Sequence, residues 1–113
     1  MIDADHEDPG YDAEIRADEL HITLRHAFSD LPDANQWATM ISRNCIGHFT
    51  TVRIDVGHLP SLTSTVIAGL VHLRDRFQQQ GVERIVLVGV SDRIHRTLQM
   101  MKLDLFFEIR PAG

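Results

Sequence analysis

The chain is poor in the residues that small folds use as staples: it holds one cysteine, one tryptophan, one tyrosine and, at Lys102, one lysine. With Cys45 alone no internal disulfide can close, which fits a reducing compartment. The seven histidines include no pair at four-residue helical spacing, and a single cysteine rules out a cysteine-rich zinc set, so no metal ion is expected. A glycine-rich phosphate loop is missing as well. Gly81 and Gly89 lie apart and frame no helix start, and no nucleotide or other cofactor is expected. No apolar run nears the roughly twenty residues that cross a bilayer. The N-terminus is acidic where a secretory signal would be basic and then apolar. Membrane insertion is therefore not expected, and a cytoplasmic location is.

What is present suffices for one domain. Apolar residues make up 43% of 113, enough for a core but without room for a second domain. A net charge of −5 gives nucleic acid no support as a partner. The acids are uneven. Asp3, Asp5, Glu7, Asp8, Asp12, Glu14, Asp18 and Glu19 face only Arg16 in the opening stretch. Residues 1–12 are expected to be a flexible acidic tail and residues 13–113 the folded domain. Beyond the tail positive charge comes almost wholly from arginine, which suits bidentate contacts with the carboxylates or phosphates of a partner.

Taken in order, Ala13, Ile15 and Ala17, then Leu20, Ile22 and Leu24, alternate with polar residues, predicting a hairpin turned at Asp18-Glu19. Ser29 or Asp30 is placed to cap a helix over residues 32–44 with Pro32 in its first turn. Its buried stripe would be Trp37, Met40, Ile41 and Cys45, and Gly47 would stop it. Residues 85–90 form an apolar run that suits an internal strand covered on both faces. Ser91 should cap a last helix with Ile94, Leu98 and Met101 inward, and residues 105–109 should add an edge strand.

The chemically suggestive residues gather between residues 51 and 80. Val52, Ile54 and Val56 alternate with Arg53 and Asp55, the period of a half-buried strand. Gly57, His58, Leu59 and Pro60 break it. Ser61, Thr63, Ser64 and Thr65 then precede Val66, Leu70, Leu73 and Phe77, an apolar helical stripe. One of these hydroxyls should cap the helix, and Gly81 should end it. With residues 85–90 this makes a right-handed crossover between parallel strands. A hydrolase-type serine would want flanking glycines in a sharp elbow, whereas Ser64 sits between two threonines, so catalysis is not expected.

An Asp closing a strand, a short apolar loop, a Ser at the following helix start, then Gly81 and the strand at residues 85–90 resemble a STAS domain, the fold of the anti-sigma factor antagonists. Asp92, Ile94, Leu98, Leu103 and the closing residues 105–109 are similar to that family's last helix and strand. The resemblance implies a single α/β domain, a mixed sheet of four or five strands flanked by helices. It also implies a bacterial-type signalling module without enzymatic activity. The family's loop usually reads Asp-Ser-Ser-Gly or Asp-Thr-x-Gly, which lays its phosphorylated or contact hydroxyl on Ser64. Thr63 then stands where the family has Asp, and Val66 where it usually has Gly.

Two functions follow from the resemblance. In the leading one the chain binds a serine kinase of anti-sigma type through residues 60–68 and is switched by phosphate on Ser64. The contacts would come from Asp55, His58, Pro60, Leu62, Thr63, Ser64, Thr65 and Val66. In the alternative it is a constitutive accessory subunit of an ABC-type phospholipid transporter, docking on the ATPase. A homodimer is compatible with either. The bland reading of the hydroxyls is a helix cap with solvated neighbours.

Overall fold

The computed structural model describes residues 11–25, 34–45, 47–59 and 62–111, with side chains from residue 38 onward in the first helix. The opening alternation folds as an antiparallel hairpin of β1 (Tyr11–Arg16) and β2 (Glu19–Leu24). Its turn is Ala17-Asp18, one residue earlier than expected, because Arg16 rather than Ala17 is the last residue paired, opposite Glu19. A two-residue loop between right-twisted strands asks for positive φ, and Ala17 supplies it at 56°. Asp18 then ties the turn to the next strand: its carbonyl accepts from the Thr50 amide (2.9 Å) and its carboxylate from the Thr50 hydroxyl (2.7 Å). β1 also starts earlier than the alternation suggested. Tyr11 and Asp12, read from sequence as tail, belong to the sheet, and the buried Tyr11 hydroxyl accepts from Asn44 Nδ2 at 3.0 Å.

The rest alternates helix and strand: α1 (Ala34–Asn44), β3 (Thr51–Asp55), α2 (Ser64–Gln79), β4 (Arg84–Val90), α3 (Asp92–Met100) and β5 (Glu108–Pro111). The strands lie in the sheet in chain order, and every pair after the hairpin is parallel. The proposed caps of α1 at Ser29 and Asp30, and Pro32 itself, lie outside the described residues. Of the expected stripe, Ile41 and Cys45 are buried and Met40 partly so, the Trp37 side chain lies outside the described ones, and Ala38 is buried beside them. α1 ends at Asn44, ahead of Gly47, whose service is different: a Cβ there would meet the Phe49 ring at 2.8 Å, and Phe49 fills the core.

One apolar cluster gathers Leu20, Ile22 and Leu24 from β2, Val52 and Ile54 from β3, and Ile85 and Leu87 from β4 with buried residues of all three helices. These strand residues are aligned in register, so they share one face, and the three helices cover that face. Successive right-handed crossovers in one direction across a sheet demand this. Phe77, Leu70 and Leu73 of α2 are buried at its centre, each contributing about 1.5–3 kcal/mol relative to exposure. α2 closes with paired bonds from Gly81 N to Gln78 O (3.1 Å) and Val82 N to Phe77 O (3.1 Å), and Gly81 takes φ 95°, as its position predicted.

Three further expectations change. β4 is internal, but helices cover only one of its faces; on the other, Val86 is buried between its register neighbours Arg53 and Glu108, whose long side chains shield it. Met101 is 49% exposed because Lys102 turns left-handed at φ 59° and Leu103, packed on the core, takes the inward place. The last strand forms at Glu108–Pro111, not at residues 105–109, and Leu105 and Phe106 stay exposed in the turn before it.

Candidate functional site

The site is built where β3 hands over to α2. Val52, Ile54 and Val56 are buried, which turns Arg53 and Asp55 to the helix-free face. The Val56 amide still bonds to Val88 O (3.0 Å), and a turn then closes from Leu59 N to Val56 O (3.1 Å). Leu59, which sequence treated only as a strand breaker, is 5% exposed and anchors the loop in the core. Asp55 sets the loop's first step: its Oδ1 accepts from the Gly57 amide at 2.8 Å.

Gly89 makes that bond sterically possible. It bulges from β4 at φ 72°, where the pairing with β5 shifts register, and a Cβ there would lie 2.7 Å from Asp55 Oδ1 and 3.1 Å from Gly57 N. The alternation of β4 alone gives this glycine no role. The available signal was an isolated glycine inside a strand pattern, which marks a bulge or a close backbone approach.

At the helix start, Thr63 is the cap. It is extended (φ −76°, ψ 162°), and its hydroxyl accepts from the Val66 amide at 3.2 Å. Ser64 is the first helical residue and is exposed, with a hydroxyl not used for capping. Thr63 and His58 are exposed, Leu62 and Thr65 half-buried, and Leu62 packs against the core edge. Pro60 lies outside the described residues. Val66, expected at the partner surface, is fully buried in the core: it is the first residue of the helix's inward stripe. A side chain there can shape the site from beneath but cannot touch a partner.

The helix-free face beside the site is polar. Arg53 donates to Glu19 (3.0 Å), which also meets His21 (3.2 Å), and Arg84 holds Glu108 with two bonds of 2.6 Å. The Arg53 bond lowers the Glu19 carboxyl below its ordinary range, the Arg84 bond does the same to Glu108, and Arg84 is raised in turn. A hollow of about 230 Å³ lies there, bordered by His21, Thr23, Arg53, Asp55 and Val88. The described strands never reverse order, so the sheet lacks the switch point at which α/β folds open a ligand crevice. Chemically, the arrangement offers a surface hydroxyl at a helix N-terminus on a loop braced by Asp55. Among the described residues no helix is long and apolar enough to cross a membrane, and no group of three or more potential metal ligands gathers.

The family model described as STAS domain matches residues 13–112. No curated protein gives a match by sequence. Among solved structures, a chain from the stressosome, a signal integration and transduction hub, superposes with a TM-score of 0.76 at 19% identity over 89% of this chain and 88% of that one. RsbS from Moorella thermoacetica, in a variant form, gives 0.73 at 18% over 89% and 87%. An anti-sigma-factor antagonist (STAS) domain protein from Planctomyces limnophilus gives 0.72 at 20% over 91% of each chain. At these identities the likeness is one of fold.

Proposed function

This chain belongs to the STAS domain family, and from that premise we propose that it is a non-enzymatic signalling protein of the anti-sigma factor antagonist type. It docks on a serine kinase of anti-sigma type through residues 60–68, and phosphate on Ser64 releases it. The observation that carries the reading is the exposed Ser64 hydroxyl at the first residue of α2, left unused because Thr63 does the capping. A phosphate there adds about −1.5 to −2 charges beside the unpaired amides and positive end of the helix, so the fold tolerates it. The partner does not: with Leu62 and Thr65 docked around it, the phosphate must be desolvated or must hold the partner off. His58 and Asp55 complete the contact surface from the loop.

The test incubates the protein with its co-encoded kinase and ATP, maps any phosphate by mass spectrometry and measures binding of Ser64→Asp and Ser64→Ala. Ser64→Asp should lose the partner and Ser64→Ala should stay permanently competent. Phosphate elsewhere or nowhere, or unchanged binding by Ser64→Asp, would favour the second reading. In that reading the chain is a constitutive accessory subunit of an ABC-type phospholipid transporter that docks on the ATPase. One observation favours it: the cap is the neutral Thr63, so the acid that the family places beside its hydroxyl is replaced without loss of the helix start. Neighbouring genes for a kinase and sigma factor, or for an ATPase and permease, separate the two.

A further inference from the structure

The two edges of the sheet are built differently. β5 has four residues, ends on Pro111 and pairs through a register shift, all of which discourage a further strand. β1 has six residues in unbroken register with β2, contains no proline, and exposes five of the six. Ile15 among them is 57% exposed although it shares the face of its partner Leu20, which is buried. An even edge carrying an uncovered apolar side chain invites a strand.

The charges along this edge point to which strand. We propose that a second copy of this chain pairs its β1 antiparallel to this β1, about a two-fold axis through Glu14. In that register Asp12 faces Arg16 of the second copy and Arg16 faces Asp12, while Ala13 and Ile15 cover each other twice on the other side. Opposite charges and apolar pairs at directly facing positions are each stabilising in a sheet. The one like-charge contact is Glu14 against its own copy, and each Glu14 keeps its Arg16 partner at 2.7 Å. Both new ion-pair members have room beside the partners they already hold, Arg25 for Asp12 and Glu14 for Arg16, since the Asp12 side chain is 68% and the Arg16 side chain 65% exposed. Shifting the axis to Ala13 sets Asp12 against Glu14 twice, and shifting it to Ile15 shortens the pairing at the Ala17-Asp18 turn. The product joins the described strands of both copies into a ten-stranded sheet with their described helices on one face, and the two Ser64 ends point in opposite directions.

An interface this small belongs with weak, transient complexes, so the test is sedimentation of the whole chain over a concentration series reaching the millimolar range. A reversible dimer is expected, weakened at least about tenfold by Ile15→Lys or Arg16→Asp, a cost within the range of facing-pair effects summed over two symmetric contacts. Adding Asp12→Arg to Arg16→Asp should restore it, and Glu14→Gln, which removes the like-charge contact, should tighten it severalfold. Circular dichroism confirms that each variant is folded, and amide exchange in the native chain should slow with concentration in β1. A monomer throughout the series, or a dimer indifferent to these substitutions, overturns the proposal.

Discussion

Asp55 Oδ1 occupies the space that a side chain on Gly89 would need: a Cβ built there falls 2.7 Å from it. The loop leading to Ser64 therefore depends on a residue in a neighbouring strand having no side chain. Gly89→Ala combines that collision with a left-handed backbone, and it should cost about 1–3 kcal/mol in urea denaturation. Asp55→Ala removes one party to the clash. The double variant should then be less destabilised than the sum of the two single variants, and strict additivity would show that the contact is not the cause.

The same bracing makes Asp55 matter to binding. Asp55→Ala frees the Gly57 amide and loosens the loop, whereas Arg76→Ala, near the far end of α2, leaves it untouched. Calorimetry against the partner should show the larger loss of affinity for Asp55→Ala. Equal affinities would mean the loop needs no bracing.

Thr63 can be tested apart from any partner. Thr63→Ala should lower stability by about 1 kcal/mol through loss of the cap. Thr63→Asp keeps an acceptor for the Val66 amide and adds a negative charge at the helix start, which should raise stability by about 0.3–1 kcal/mol at low salt. If Thr63→Asp also quickens phosphorylation of Ser64 by the co-encoded kinase, the neutral cap accounts for a slower switch.

Acid should act through Glu108. Its carboxyl titrates below the ordinary 4.5 because Arg84 bonds the charged form. The contribution is thus present above the unfolded value and is lost as pH falls through the lower folded one. Glu108→Gln should have a lower unfolding midpoint than the parent at neutral pH, and the two should converge once pH has dropped below the carboxylate range. The pair is exposed, so the gap should be small and should shrink with added salt.

Elements marked by strict period were legible in the sequence. The alternation at Leu20, Ile22 and Leu24, the stripe from Val66 to Phe77, the cap at Ser91 and the stop at Gly81 all lie where residue type and spacing put them. Where several segments compete for one position, local pattern misleads. Met101 and Leu105 are apolar enough to be core, yet Leu103 and Phe107 reach it first once Lys102 reverses the chain. In the site, the cap and the exposed hydroxyl could be read from the string of Ser and Thr, though not which of them capped. Val66 reads as partner surface because loop and helix stripe overlap at that residue, and the role of Gly89 is invisible locally because its contact spans 34 positions of chain to reach Asp55.

The order of the strands bears on how the domain comes into being. Each strand lies beside the one made just before it, so loops to be closed are short and the entropy lost in closing them is modest. A chain emerging from the ribosome can seat every new strand on a finished neighbour without waiting for its C-terminus. β5 follows the other four described strands and has four residues, so a chain cut short before it keeps those four paired and leaves the edge of β4 open.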